Sequence, residues 1–381
     1  MEFDFDAPIE RRGSDSSKWR RYAGRDVLPL WVADLDFAAP PAVIEALHRR
    51  VDHGVFGYGD PPESTVEAAV EALARDHGWR VDPGWLVWLP GLVTGLNVAC
   101  RAVGDLGDAV FTATPIYPPF LSAPRYSGRR VVAAALQRVG SRWEWDFERV
   151  EAALTPDTRL LLLCNPHNPV GRAFTREELL AIARIAERRD LVVCSDEIHA
   201  GLVLDPACAH LPFAALGGDI ARRTITLIAP SKTYNIPGLG CALAVVSDPA
   251  LRQRVREAMR GIVPHVNVLG YAAAEAAWRH GEPWRRALVD YLRGNAGRVV
   301  EAVGAMPGLR TTPVEATYLA WIDATALGIE DPAAHFEAAG VGLSSGADFG
   351  APGFVRLNFG CTRATLDQAL GRMAAAVAAA A

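Results

Sequence analysis

Short apolar runs separated by amphipathic segments fill the middle of the chain. The apolar runs predict strands at residues 85–89, 109–113, 130–135, 160–164, 191–195, 224–228 and 241–246. The first four runs are apolar enough to predict burial on both faces, as in parallel strands. The amphipathic segments predict helices at residues 94–103, 175–189 and 249–260. This alternation predicts an α/β fold with a mainly parallel sheet covered by helices on both sides.

The pattern changes after Pro264. A long helical stretch at 269–306 leads to a strand at 318–322, a helix at 332–339 and a strand at 354–359. The 381 residues also exceed the size at which a single hydrophobic core usually stops growing. We therefore expect a large domain over residues 46–274 and a smaller α+β domain made of residues 1–45 and 275–381.

Composition narrows the class of partner. The net charge is −5 and the pI is about 6.0, which offers no basic surface for nucleic acid or an anionic membrane. The acidic start of the chain does not resemble a signal peptide, and no apolar run has the length of a membrane span. Six scattered cysteines without a CxxC pair argue against disulfides and metal. We expect a cytoplasmic protein with a small-molecule partner and no metal.

Lysine is very rare in this chain. Only Lys18 and Lys232 are lysines among 39 basic residues. Arginine cannot replace lysine in covalent bonding to an aldehyde, because its guanidinium group stays protonated. Lys232 lies in the apolar run LIAPSKTYNIPGLG, whereas Lys18 lies in the polar run SSKWRR. We therefore expect Lys18 on the surface and Lys232 in a functional site.

Three polar segments follow predicted strands. They are NPHNPVG (165–171), SDEIH (195–199) and APSK (229–232). Ligands of open α/β sheets bind at the carboxyl ends of the strands, so these segments predict one shared site.

The polar residues of these segments match the needs of pyridoxal 5′-phosphate (PLP). PLP requires a lysine for its aldehyde, a carboxylate against its ring nitrogen and a hydrogen-bond donor to its phenolate oxygen. Lys232, Asp196 and Asn168 meet these needs in turn. Residues 90–94 open a predicted helix, whose free amides suit the phosphate.

Several further motifs occur in the same order as in a known enzyme family. They are WVADLDF (31–37), FGYGDP (56–61), PIYPPF (115–120), SKTYNIPGL (231–239), NVLGYAA (267–273), TYLAWID (317–323) and VRLNFGCTR (355–363). With them the chain resembles the fold-type-I PLP enzymes of the aspartate aminotransferase superfamily. Within that superfamily it is similar to cystathionine β-lyases and cysteine-S-conjugate C–S lyases of the MalY/PatB type.

The resemblance implies an aspartate-aminotransferase-like fold and a set of site residues. It implies that Lys232, Asp196 and Tyr117 are catalytic, with the Tyr117 ring stacked on the cofactor. The other cofactor-binding residues implied are Leu92, Val93, Asn168, Ser231 and, from the neighbouring subunit of a homodimer, Tyr58. Arg356 would bind the substrate carboxylate through two hydrogen bonds, and Trp31 would line the substrate pocket.

Each of the main assignments has a structural alternative. Tyr117 could be packed in an ordinary loop, and Asp196 could cap a helix. Arg356, in the apolar strand FVRLNF, could belong to an ion pair at the edge of the core. His199 is as consistent with a structural role as with a functional one.

The chain also departs from patterns usual in its relatives. Gly201 stands where the family more often has Asp, and Thr362 where it more often has Pro. Ala229 and Gly240 replace a serine and an arginine of aspartate aminotransferases, which the β-lyase branch tolerates. The changes at Gly201 and Thr362 affect the expected identity of the substrate.

The resemblance favours β-elimination from cystathionine or S-substituted cysteines, with release of thiol, pyruvate and ammonia. Transamination and decarboxylative deamination share the same residues and stay open. A PLP-binding regulatory protein without turnover is a third hypothesis, and intact Lys232, Asp196 and Arg356 argue against it.

Overall fold

The computed structural model describes residues 3–380. Its helices lie close to the amphipathic segments of the sequence. In chain order they are α1 Ser17–Arg20, α2 Pro41–Asp52, α3 Glu63–His77, α4 Leu92–Ala102, α5 Pro119–Tyr126, α6 Phe147–Ala153, α7 Arg176–Arg188, α8 Gly218–Arg222, α9 Pro249–Met259, α10 Val268–His280, α11 Glu282–Gly304, α12 Pro332–Ala338 and α13 Arg363–Ala380.

The strands confirm the seven apolar runs to within two residues at each end. They are β1 Leu28–Pro29, β2 Leu86–Leu89, β3 Ala109–Thr114, β4 Arg130–Ala135, β5 Gln137–Val139, β6 Arg142–Glu144, β7 Thr158–Cys164, β8 Val192–Asp196, β9 Thr224–Ile228, β10 Ala242–Val245, β11 Arg310–Thr311, β12 Leu319–Asp323, β13 Val341–Gly342, β14 Ser344–Ser345 and β15 Phe354–Asn358.

The central sheet is mainly parallel, as predicted. Its order is β2-β10-β9-β8-β7-β3-β4, and only β10 runs against the other strands. Alternate leucines of β7 lie in two different core clusters: Leu160 and Leu162 pack in one, Leu161 and Leu163 in the other. Both faces of the sheet are therefore covered, which explains why β7 is apolar throughout.

Two details of the sequence prediction are wrong. Strand β4 is one of the two edge strands of the sheet, and most of its residues are exposed or half-buried, so the expected burial on both faces does not occur there. The helical stretch 269–306 is two helices, because α10 ends at His280 and α11 begins at Glu282. A Cβ at the intervening Gly281 would lie 2.5 Å from the Ala277 carbonyl oxygen and from the Tyr234 ring, so these helices meet closely there.

A second, smaller sheet lies in the C-terminal part of the chain. It is antiparallel with the order β11-β12-β15-β14, and β13 pairs with the N-terminal strand β1. Buried residues from the N-terminal segment, α11 and α13 pack in one core cluster with β12 and β15. The domain boundaries at residues 45 and 274 stay a prediction.

No helix within residues 3–380 combines the length and the apolar character that crossing a bilayer requires.

Candidate active site

A cavity of about 580 Å³ lies where the central sheet meets the small sheet and the segment around Trp31. The carboxyl ends of β7 and β8 and the segment after β9 form its floor, as expected for an open α/β sheet. The predicted site residues that line it are Trp31, Leu92, Val93, Tyr117, Asn168, Asp196, His199, Ser231, Lys232 and Arg356.

Lys232 lies in a tight turn after β9. Backbone hydrogen bonds from Tyr234 to Pro230 (2.9 Å) and from Ile236 to Ser231 (3.0 Å) hold this turn. The Lys232 ammonium donates to the Ala33 carbonyl oxygen. Burial lowers the pKa of Lys232 to about 8, against an opposing effect of the Asp34 carboxylate. A lysine with such a pKa has a sizeable neutral, nucleophilic fraction near neutral pH.

Asp196 is the last residue of β8, and only 5% of its surface is exposed. No helix begins at this residue, which excludes the helix-cap alternative, although one carboxylate oxygen accepts from the Ile198 amide at 3.1 Å. Burial raises the pKa of Asp196 to about 7. A cationic partner would keep the carboxylate ionised at neutral pH.

Arg356 carries the most informative contacts of the cavity. It is 4% exposed and projects from β15. Its guanidinium donates to Asn168 Oδ1 (3.0 Å), the Trp31 carbonyl oxygen (2.8 Å) and Ser344 Oγ (3.2 Å). Within residues 3–380 no carboxylate lies within 4.0 Å of it, and its Nε lacks a hydrogen-bond partner. The ion-pair alternative is therefore wrong, and this buried cation lacks an anion.

Tyr117 and Asn168 come from different loops but are joined to each other. The Tyr117 amide donates to the Asn168 carbonyl oxygen at 3.2 Å. Tyr117 also contacts both core clusters of the central sheet. The side chain is therefore packed in its loop, as the alternative proposed, and it also forms part of the cavity wall. Burial raises the pKa of the Tyr117 hydroxyl, which keeps it neutral. Its ring therefore presents an uncharged face to the cavity.

The first turn of α4 borders the cavity. The helix begins at Leu92 after Gly91, and no side chain caps it. Its first amides, including those of Leu92 and Val93, have no partner within the helix. These amides and the Ser231 hydroxyl are donors of a kind that suits an anion.

His199 lines the same cavity and is 2% exposed. Burial lowers its pKa to about 3, so the ring is neutral. Its ring lies edge-on to Tyr318 at 5.9 Å between centroids.

Neither Gly201 nor Thr362 lines this cavity. A Cβ at Gly201 would lie 2.7 Å from the Thr233 side chain, which occupies the space where a larger residue would stand. Thr362 Oγ1 accepts from the Thr365 amide at 3.2 Å in the first turn of α13. Local contacts thus account for Gly201 and Thr362. Because neither residue lines the cavity, any effect of these two residues on substrate binding is indirect.

Sequence reasoning missed three groups of the site. The Ala33 carbonyl oxygen accepts from Lys232 and from the Tyr318 hydroxyl, the latter at 3.0 Å. Ser344 joins Arg356 to the Trp31 carbonyl oxygen, to which it donates at 2.7 Å. A backbone carbonyl has no residue signature. Tyr318 lies in the motif TYLAWID (317–323) just before β12, and Ser344 lies in β14, but neither position reveals the hydrogen bond that its side chain makes.

Four further charged residues line the cavity. They are Arg21, Asp331, Glu337 and Asp348. Glu337 is neutralised by Arg25 at 2.9 Å and Asp331 caps α12. Arg21 lies 4.8 Å from the Trp31 ring centroid, and within residues 3–380 neither Arg21 nor Asp348 has an ion-pair partner. These four residues therefore offer one unpaired cation and one unpaired carboxylate to a ligand.

Two predictions about residues outside the cavity have different outcomes. Tyr58 is fully exposed and is not brought to the cavity within one chain, so its role across subunits stays a prediction. Lys18 was expected on the surface and is instead 1% exposed, because it is paired with Asp36 at 2.7 Å. The prediction that Lys18 lies on the surface is wrong. Its neighbours in sequence are polar, but its hydrogen-bond acceptors lie 16 and 18 residues later in the chain and the fold brings them to it.

The fold and the cavity define a class of protein. Within residues 3–380 no three or more His, Cys, Asp or Glu side chains are grouped to hold a metal ion, whereas a lysine, a carboxylate and a helix amino end converge. The family model for aminotransferase class I and II matches residues 25–373, and the chain belongs to that family. This confirms the predicted family and the aspartate-aminotransferase-like α/β fold.

Individual relatives resemble the chain over nearly its full length. Cystathionine beta-lyase PatB of Bacillus subtilis (strain 168) is 36% identical, over 98% of this chain and 100% of PatB. The crystal structure of OvoB is 51% identical with a TM-score of 0.97, over 98% of this chain and 99% of OvoB. Cystalysin from Treponema denticola, whose crystal structure contains pyridoxal 5′-phosphate, is 31% identical with a TM-score of 0.94 over all of both chains.

Proposed function

We propose that this protein is a PLP-dependent C–S β-lyase that acts on cystathionine or S-substituted L-cysteines. The observation that carries the proposal is the buried Arg356 guanidinium without an anionic partner, in the same cavity as Lys232 and Asp196. A substrate α-carboxylate supplies the missing anion and fits a two-pronged guanidinium. The relatives, among them PatB, support the lyase reaction over transamination.

The residues of the cavity fit PLP. The free amides of Leu92 and Val93 suit its phosphate, and Ser231 adds a hydroxyl. Asp196 suits a protonated ring nitrogen, because a cation beside it keeps this buried carboxyl ionised. Asn168 Nδ2 has no partner within residues 3–380 and suits the phenolate oxygen. When bound, PLP withdraws electrons from the substrate Cα.

The chain's own residues then direct the reaction. Arg356 holds the substrate carboxylate, which orients the Cα–H bond for removal of the proton by the neutral Lys232 amine. The electron pair of the Cα–H bond forms a Cα–Cβ double bond, and the Cβ–S bond breaks as thiolate leaves. Water hydrolyses the resulting aminoacrylate, so each substrate and one water give one thiol, one pyruvate and one ammonia.

The test is an assay with L-cystathionine and no 2-oxo acid. We expect thiol and pyruvate in equal amounts over many turnovers. An aminotransferase would stop after one turnover until an oxo acid was added, and would leave the carbon skeleton intact. A regulatory protein would release neither product. Either of these results contradicts the lyase proposal.

We also propose a homodimer with shared active sites. Tyr58 is fully exposed, and its neighbours Val55 and Phe56 are 60% and 57% exposed. Val93, in the first turn of α4, is 44% exposed. Exposed apolar residues at this turn and in the Tyr58 loop support an interface there. An inactive Lys232→Ala protein mixed with an inactive Tyr58→Phe protein is expected to regain activity, and no recovery after proven subunit exchange would refute sharing.

The cytoplasm remains our proposed location. All six cysteines are unpaired, and five of them are buried. A reducing compartment keeps such thiols free.

A further inference from the structure

The second lysine of the chain is the centre of a buried ion cluster. Lys18 Nζ donates to Asp36 Oδ2 (2.7 Å) and to the Asp34 carbonyl oxygen (3.2 Å), and it lies 3.5 Å from Asp34 Oδ1. Arg11 contacts the same two carboxylates at 2.9 Å and 2.6 Å. Two cations therefore balance two carboxylates beside the cavity.

This cluster and the cavity share one stretch of backbone. Four consecutive carbonyl oxygens accept hydrogen bonds from side chains of the site or the cluster. Trp31 accepts from Arg356, Val32 from Asn358, Ala33 from Lys232 and Tyr318, and Asp34 from Lys18 and Asn358. The two lysines thus bond to adjacent carbonyls, those of Ala33 and Asp34.

The geometry also explains why this position is a lysine in an arginine-rich chain. Two oxygens accept hydrogen bonds from the Lys18 ammonium and a third, Asp34 Oδ1, lies 3.5 Å from it, an arrangement that suits a compact charge with three donors. A planar guanidinium has its donors in a rigid fork and does not match three oxygens around one point.

We propose that Lys18 is a positioning residue for Lys232: with Arg11 it fixes Asp34, and through Asp34 the adjacent Ala33 carbonyl that accepts from the Lys232 amine. This inference rests on the proposed function, in which Lys232 carries the cofactor. The Asp34 carboxylate opposes the effect of burial on the pKa of Lys232, so its place and its compensation by Lys18 set how readily that amine loses its proton.

Other charged groups also face Lys232. Arg356 lowers its pKa and Asp196 raises it, while His199 is neutral. These groups lie on the two sheets and the turn after β8, and none of them is hydrogen-bonded or ion-paired to the side chain of Lys18 or Asp34. Changing Lys18 or Asp34 leaves them in place, so the contribution of the cluster can be measured separately.

The experiment measures the Lys232 amine itself in the cofactor-free full-length protein. Trace acetylation with acetic anhydride at a series of pH values, followed by peptide mass spectrometry, gives the pH midpoint of Lys232 reactivity. Lys18→Met removes a cation, so the midpoint is expected to rise by about 0.5–1 unit, a roughly three- to tenfold lower rate near pH 7. Asp34→Asn removes a carboxylate, and its midpoint is expected to fall.

The matched control is Arg129→Met, which removes a buried cation that donates to the carbonyl oxygens of Cys100 and Gly104 and does not line the cavity. It is expected to lower the melting temperature without moving the midpoint. If Lys18→Met and Asp34→Asn behave like this control, Lys18 is purely structural and the proposal is wrong. Should Lys18→Met fail to fold, the isosteric Asp34→Asn decides alone, because an unchanged midpoint refutes the proposal.

The outcome is independent of the enzyme reaction. Absence of PLP labelling on Lys232, or of lyase turnover, would refute the proposed function and leave the measured midpoints valid. Unchanged midpoints in an active lyase would refute only the role of Lys18.

Discussion

Two arginines of this protein are buried almost equally and are bonded very differently. Arg172 is 2% exposed and Arg356 is 4% exposed. Arg172 contacts Glu315 at 2.9 Å and Glu178 at 2.7 Å, and donates to the Trp143 carbonyl oxygen. Arg356 donates only to neutral oxygens. Burial of a charge is costly in both cases, so the difference shows which arginine is completed by the fold and which needs a ligand.

The two lysines repeat this contrast. Lys18 is neutralised by Asp36 and Asp34, whereas the Lys232 amine contacts a carbonyl oxygen and has a pKa lowered by burial. In each pair the residue with its charge compensated lies outside the cavity wall, and the other residue lines it. A buried charge without a carboxylate partner marks the candidate site here only when it also lines a cavity, because Arg129 is buried, donates only to carbonyl oxygens and lies outside the cavity wall.

The largest expected effect concerns Lys232. Lys232→Ala is expected to lose at least about 10³-fold in kcat, because the variant lacks both the covalent attachment point and the amine that moves the proton. Borohydride treatment of the wild-type holoenzyme, followed by peptide mass spectrometry, should find the PLP label on Lys232. A label on Lys18 would contradict the assignment, as would normal turnover of the variant.

The arginine contrast predicts opposite phenotypes. Arg356→Met is expected to lose on the order of 10²- to 10³-fold in kcat/KM, because the substrate carboxylate would be left without its buried partner. Its free energy of unfolding should stay within about 1 kcal/mol of wild type. Arg172→Met should lose about 3–5 kcal/mol of stability, because Glu315 and Glu178 lose a buried partner.

Steady-state kinetics and denaturant unfolding on both variants check this pair. The folded fraction of Arg172→Met should keep a kcat/KM within a fewfold of wild type. A stability loss in Arg356→Met as large as that in Arg172→Met would remove the contrast.

The contrast between the residues explains what the sequence could reveal. Lys232 was found because a cation in an apolar run is conspicuous, whereas Arg356 was assigned to the substrate carboxylate through the family resemblance. Lys18 was misplaced because its neighbours in sequence are polar, and its partners Asp34 and Asp36 are brought to it only by the fold. The Ala33 carbonyl could not be predicted, since every residue has one.

The fold shows the same limit. The seven central strands were predictable from their apolar runs, but the position of β4 at the sheet edge depends on strand order, which the apolar pattern does not encode. The break at Gly281 was different, because Pro283 in the first turn of α11 is a local signal that the continuous helix prediction overlooked. Local patterns predicted the elements, and the position of β4 depended on long-range pairing.

The lysine contrast makes a prediction about pH and stability in the cofactor-free protein. The pKa of Lys232 is about 8 in the folded state against 10.5 ordinarily, so the unfolded chain binds more protons between these values and stability rises with pH there. The full penalty of the buried ammonium is present below pH 8. Lys232→Met should therefore gain about 2–3 kcal/mol near pH 7, and the gain should vanish as the pH approaches 10.5.

Lys18→Met is the matched comparison and should be destabilised, because it breaks an ion pair instead of removing an uncompensated charge. Denaturant unfolding of both variants across the pH range gives the measurement. A pH-independent gain in Lys232→Met would point to packing, and a loss would show that the ammonium is compensated in the folded state.

The smallest expected effect concerns two exposed residues of the cavity lining, Arg21 and Asp348, which lack ion-pair partners within residues 3–380. A sulfur substituent with its own ammonium and carboxylate, as in L-cystathionine, can pair with both, whereas a neutral S-alkyl group of similar length cannot. Because both side chains are exposed, Arg21→Met and Asp348→Asn should each lower kcat/KM for L-cystathionine by only about two- to fivefold. The values for the neutral substrate should not change.

Arg20→Met is the control, because Arg20 is an exposed arginine that does not line the cavity, and it should affect neither substrate. Equal losses on both substrates would mean that these residues shape the cavity without reading the charge of the substituent.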